Sequence, residues 1–193
     1  ATPLPEGWVF SGVRVYTAVN QIVSVTCDLI NNNGSHQQLA YIGGTFVNND
    51  DRQIPPLSTI NRSPITSIQL GGRVPFKLFV PGLNNSDRFD LSVEARPVSN
   101  SLRQDFEFEE VNGAPDGERL CLAGKIRNPG EPLQAYVLVV AVLYDGQNQV
   151  IDFDEVRQAT PVDLFGEQTR EVSVCVDRHD QEVVHHELRA WGM

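Results

Sequence analysis

Seven potential metal ligands, Asp177, His179, Asp180, Glu182, His185, His186 and Glu187, fall within eleven residues near the end of the chain. Carboxylates and imidazoles at that density are the raw material of a metal-dependent enzyme centre, with His179, Asp180, Glu182 and His185 as the candidate ligand set. The same segment also reads as a hairpin in which Val174-Cys175-Val176 rises, residues 178–181 turn and residues 183–191 return. On a strand His185 and His186 point to opposite faces and cannot share an ion. The register of Val184, Leu188 and Ala190 sends His186 inward, where a buried neutral ring is expected. Whether His179 and His185 reach a common point decides between ligand set and hairpin.

Other chemistry is sparser. Asp152, Asp154 and Glu155 offer alternating carboxylates for calcium, but without the glycine-bearing loop of strong calcium sites they read as a solvated edge. No phosphate loop, nucleophile elbow or His-Glu-x-x-His helix occurs. No catalytic residue is therefore assigned and no cofactor is expected. Residues 55–64, rich in proline, are long for a hairpin connection, and read either as a binding loop or as an edge strand held flat by its prolines. Trp8, Leu57, Ile60 and Trp191 are the candidates for an exposed apolar or aromatic contact with a protein or glycan partner.

Three cysteines exclude a disulfide-dense scaffold and a four-thiolate zinc site. Cys27 falls on an inward register and is expected to be an inert buried thiol. Cys121 and Cys175 fall on outward registers of strands that neighbour each other in a sandwich. They are either a cross-strand disulfide, stabilising by about 4 kcal/mol on the chain-entropy scale, or two free surface thiols.

The elements that carry these residues repeat. Val23, Val25, Cys27 and Leu29 alternate with polar residues, as do Val74, Phe76, Leu78 and Val80, and then Phe89, Leu91, Val93 and Ala95. Leu120, Leu122, Gly124 and Ile126 repeat the first set, Val172, Val174 and Val176 the second, and Val184, His186, Leu188 and Ala190 the third, at offsets of 95 to 98 residues. A near-constant offset across three strands indicates tandem duplication of a unit half the chain long. Residues 137–143 are apolar on both faces and should form a central, covered strand. The fold expected is all-β, two tandem immunoglobulin-like antiparallel β-sandwiches spanning 1–97 and 98–193, with closed barrels as the alternative.

The second copy resembles the bacterial FxLYD-type domain and, more distantly, the late-embryogenesis-abundant type 2 sandwich. The resemblance rests on Gly124-Lys125-Ile126-Arg127-Asn128, Val142-Leu143-Tyr144-Asp145-Gly146, Leu164-Phe165-Gly166-Glu167 and Val172-Ser173-Val174. It departs from that pattern at Ala141, where the family has Phe, and at Phe165-Gly166, where it has Pro-Gly. The first copy, with Phe46-Val47-Asn48-Asn49 in place of Leu-Tyr-Asp, is drawn in through the repeat. The resemblance implies an envelope or secreted accessory domain without catalytic residues.

Charge narrows the partner. The formal net charge of −10 argues against nucleic acid or an anionic membrane surface as partner, and no run of 18 apolar residues is available to cross a bilayer. Up to Pro97 the chain holds seven acids and seven bases; from Val98 it holds eighteen and eight. A basic partner or a cation is therefore expected at the second copy. A chain that starts at Ala1 and has its single methionine at Met193 suits either a cleaved leader or a trimmed start, and an extracytoplasmic location is the expectation. The functional expectation is a non-catalytic binding module, with a structural or stress-protective spacer and a metal-dependent enzyme as alternatives.

Overall fold

The computed structural model describes residues 6–17, 22–47, 53–54, 60–80, 88–100, 102–133, 135–158 and 168–193, and the regular elements among them are all β-strands. The chain divides into two compact units, Ala1–Ser101 and Leu102–Met193. The division falls a few residues beyond the join expected at Pro97. Val98 N donates to His36 O at 3.1 Å and Ser67 Oγ to Asn100 O at 3.5 Å, so this stretch is bonded into the first unit.

In the first unit, strands β1 (Gly7–Thr17), β2 (Val23–Asn32), β7 (Arg73–Val80) and β5 (Ile60–Arg62) form one antiparallel sheet in the order β1-β2-β7-β5. In the other sheet β3 (Gln37–Val47) is central. It pairs with β8 (Phe89–Pro97) along one edge, and with the short β4 (Gln53–Ile54) and β6 (Ser67–Ile68) at the two ends of the other. Pro64, which has no backbone donor, stands between β5 and β6. Alternation fills the core: Val23, Val25, Cys27, Leu29, Val74, Phe76, Leu78 and Val80 are fully buried.

The second unit pairs β9 (Glu107–Asp116), β10 (Arg119–Arg127) and β13 (Thr169–Asp177) in the order β13-β10-β9, and β12 (Val150–Gln158), β11 (Val137–Tyr144) and β14 (His185–Gly192) in the order β12-β11-β14. Its core is a sandwich filling. Leu122, Ile126, Val172, Val174 and Val176 from one sheet pack with Val139, Ala141, Leu143, Ile151 and Ala190 from the other. Burying each such valine, leucine or isoleucine contributes about 2 kcal/mol. Strand β11 is buried along its whole length, as its two-sided apolar sequence requires.

The strand register of the two units corresponds pair by pair. Ile42 pairs with Val93 and Phe46 with Phe89; 97 residues later, Val139 pairs with Ala190 and Leu143 with His186. Both first strands also carry a bulge at the same place, with Gly12 at φ 64° in β1 and Glu110 at φ 53° in β9.

One buried asparagine closes β2, and its counterpart 97 residues on follows β10. Asn31 is fully buried; its Nδ2 donates to Ser35 O (2.8 Å), Ile68 O (3.0 Å) and Gln69 O (3.1 Å), and its Oδ1 accepts from Asn33 N at 3.1 Å. Asn128, equally buried, donates to Glu131 O at 3.0 Å and accepts from Gly130 N (3.1 Å) and Arg103 Nη2 (2.8 Å). Arg103 in turn forks onto Asp105 at 3.0 and 2.8 Å, and this hydrogen bonding holds the Asp105 carboxyl below its ordinary range. Replacing either asparagine by alanine strands buried carbonyls and amides. Asn31→Ala or Asn128→Ala is expected to lower stability by about 2–3 kcal/mol in urea unfolding, and a loss within about 0.5 kcal/mol would show that the carboxamide is dispensable.

Candidate functional site

The turn between β13 and β14 is built on two residues with left-handed backbone, His179 (φ 47°) and Asp180 (φ 56°), closed by Gln181 N donating to Arg178 O at 2.9 Å. Asp177 Oδ1 accepts His179 N at 2.7 Å and fixes the turn. The imidazole then reaches the other sheet, where Nε2 lies 2.6 Å from Oδ2 of the nearly buried Asp152 on β12. Asp152 Oδ1 is taken by Phe153 N at 2.9 Å. His185 lies in a different environment: its ring stacks on Tyr144 with centroids 5.4 Å apart, and Nε2 is 3.3 Å from Glu187 Oε1.

The expected ligand set of His179, Asp180, Glu182 and His185 is therefore corrected. Each imidazole is committed to its own carboxylate, and Asp180 and Glu182 are exposed on the turn. Density in sequence did not become convergence, because the hairpin spreads neighbouring residues over two faces. Asp154 is likewise engaged locally, accepting Glu155 N at 2.9 Å. His186 faces inward with its ring edge against Gly113 but stays half-buried rather than buried.

The candidate apolar contacts also separate. Ile60 is 61% exposed on β5 and Trp8 is half-buried on β1, at opposite edges of one sheet. Trp191 is corrected from exposed to buried: at 1% exposure, opposite Leu138, it has no surface to offer a partner. Leu57 lies outside the described residues. Residues 60–62 form an edge strand, and Asn61 Nδ2 ties it to the other sheet by donating to Ile42 O at 3.1 Å.

Cys121 and Cys175 face each other across the β10–β13 ladder and are joined as a disulfide, with Cα atoms 3.8 Å apart. Cys27 is a free thiol at zero exposure, and burial pushes its ionisation well up.

The face of β9-β10-β13 turned away from the core is the open surface of the second unit, and β9 is exposed almost throughout. Successive rows across it are Asp116–Arg119–Asp177, Ala114–Cys121–Cys175, Asn112–Ala123–Ser173, Glu109–Lys125–Glu171 and Glu107–Arg127–Thr169. Small side chains occupy the middle, so a shallow groove of about 400 Å³ opens over Asn112, Ala123 and Ser173, with Glu110, Lys125 and Glu171 on its rim. The β9 bulge aims Glu110 at this rim: its Oε2 lies 2.7 Å from Lys125 Nζ and raises the lysine above its ordinary range. Glu107 pairs with Arg127 nearby. The sequence reading missed this groove. The signal available was the small residues at alternate outward positions of β10 and β13. No family model, curated protein or solved structure matches the chain.

Two measurements check this geometry. His179→Ala, which removes a charge-assisted bond between the sheets, should cost about 1–3 kcal/mol in urea unfolding, and an unchanged midpoint would refute the clamp. Thiol titration of the oxidised chain should find no reactive thiol when native, one in denaturant, and three in denaturant after reduction. Reaction in the native state would contradict the burial of Cys27 or the disulfide.

Proposed function

We propose that this chain is a non-catalytic interaction module of the cell envelope or secreted space. Its second unit receives a cationic partner on the outer face of β9-β10-β13. The observation that carries the reading is Glu110. At the equivalent bulge the first unit has Gly12, for which a left-handed backbone is free of strain, whereas the second unit holds a glutamate there at φ 53°. A side chain kept in that conformation costs about 1 kcal/mol or more against glycine. What this conformation brings is a carboxylate at the groove rim, where Glu110 and Glu171 outnumber Lys125, with Glu107 and Glu109 beside Arg127 further along the same face. Steering of a basic chain to such a surface follows from the local field. The disulfide supports the extracytoplasmic assignment, since such bonds persist in oxidising compartments.

The test uses a lysine-rich peptide as probe on the full oxidised chain. Glu110→Gln with Glu171→Gln should weaken binding about tenfold at low salt, and the effect should shrink as ionic strength rises. An equal loss of charge away from the groove, Glu131→Gln with Glu182→Gln, should leave binding unchanged. Glu110→Gly should unfold no earlier than the parent yet bind more weakly. Equal losses from both double variants would reduce the effect to net charge and overturn the reading.

A further inference from the structure

Among the described residues, one group of three donors from His, Cys, Asp and Glu comes together: Asp116 with Cys121 and Cys175, whose ligand atoms all lie within 4.8 Å of one another. We propose that these residues form a thiol-gated zinc site, closed while the disulfide stands and opened when it is reduced. This does not rest on the cationic-partner reading, since neither the groove nor its rim supplies a ligand.

The two cysteines are direct partners in a ladder of nine residue pairs from Arg119–Asp177 to Arg127–Thr169. That backbone pairing does not depend on the sulfur–sulfur bond, so breaking the bond leaves both side chains on the same outward row. Zinc holds thiolates at about 2.3 Å with tetrahedral angles, which places two sulfurs roughly 3.8 Å apart. Side-chain rotation alone provides this separation between directly opposed residues. Asp116 is carried on the neighbouring strand by a tight hairpin in which Gly117 takes the left-handed corner at φ 58°. Its carboxylate lies on the same face as the sulfurs and supplies the third ligand, leaving a fourth position for water. Arg119 beside the site has its Nη2 committed to the backbone, donating to Cys175 O and lying 4.0 Å from Asp154 Oδ2. Cys121 and Cys175 are half-buried and Asp116 is exposed, so reductant and ion can both reach the site from solvent.

The chemistry balances with a dithiol as co-reactant. An external dithiol gives two electrons and two protons to the Cys121–Cys175 bond and leaves as its own disulfide. The two thiols formed then release their protons to solvent as the divalent ion binds both sulfurs. An external disulfide reverses the sequence: it accepts two electrons from the two sulfurs and two protons from solvent, leaves as two thiols, and the reformed Cys121–Cys175 bond expels the ion. A borderline-soft, tetrahedral ion suits two thiolates and one carboxylate, while magnesium and calcium, which prefer oxygen, do not.

Cobalt(II) is the probe, because thiolate ligation gives it a near-ultraviolet charge-transfer band and tetrahedral geometry an intense visible one. The full chain, reduced with a phosphine and freed of it, should take up one cobalt per chain, and zinc should displace it. The oxidised chain should show neither band. Cys27→Ala should bind as the parent does, Cys175→Ser should lose stoichiometric binding, and Asp116→Asn should keep the thiolate band while weakening affinity about tenfold or more. The proposal is overturned if the reduced chain takes no cobalt, if the band survives Cys175→Ser, or if Asp116→Asn changes nothing. Loss of the sheet signature in circular dichroism on reduction would overturn it equally, since the ladder would then be shown to need the disulfide.

Discussion

The buried carboxamides of Asn31 and Asn128 are the interaction on which each unit's strand order depends. An asparagine at full burial has to place two donors and an acceptor, and Asn31 does so by joining local backbone at Asn33 and Ser35 to backbone from a distant part of the chain. Asn31 Nδ2 reaches Ile68 O and Gln69 O, which lie 37 and 38 residues later, just before β7 begins. Its own backbone completes the lock, with Asn31 N donating to Gly72 O and Gly71 N to Asn31 O. The start of β7 is thereby fixed beside the end of β2, and a one-residue slip, which would turn every core side chain of that strand outward, is blocked. Asn128 performs the same task with different partners, drawing in Arg103 and so the start of its unit.

A register fixed this way explains why function falls to the outward positions. Residues on the core side of β10 and β13 have no freedom to change chemistry without leaving a cavity or an unpaired group. Their outward neighbours carry only the cost of their own solvation. The acidic rim, the disulfide and Asp116 all lie on that face, on a ladder whose geometry is set from the other side. The imidazole of His179 has the opposite role. Its bond to the nearly buried Asp152 links the turn after β13 to β12, making a histidine that resembles a ligand in sequence into a fastening between sheets.

How much of this the sequence discloses follows from how many constraints act on each segment. Strands with one face in the core, β2, β7, β10 and β13, announce themselves by alternation, and β11 by its unbroken apolar run. The strand β9 does not. It is an edge strand with Phe108 its one half-buried residue, and the bulge at Glu110 breaks whatever period remained. The groove was hidden for the same reason, since one of its walls is that strand. The spacing of Cys121 and Cys175 brought out a disulfide as one option because a repeat places strands even where their pairing is unseen. The ligand-rich segment misled because proximity along a chain says nothing about convergence, which depends on the turn at His179–Asp180. Trp191 misled because the tail of β14 is covered on both faces, a tertiary fact with no local signature.

The two units differ most where their ladders carry equivalent pairs. The position of the Cys121–Cys175 pair is held in the first unit by Ser24 and Phe79, which face each other in the same ladder. The pair Gly124 and Val172 corresponds to Cys27 and Phe76, which are fully buried. This inward pair stays apolar but shrinks, from a large ring and a thiol in the first unit to valine and glycine in the second. Outward pairs have exchanged kind for kind, with hydroxyl and ring replaced by two sulfurs. Ser24 and Thr26 are fully buried, whereas Ala123, in the row next to the disulfide, is exposed. Both units share one ladder. What differs is which side of it meets water, and the second unit has placed its acids and its disulfide on that side.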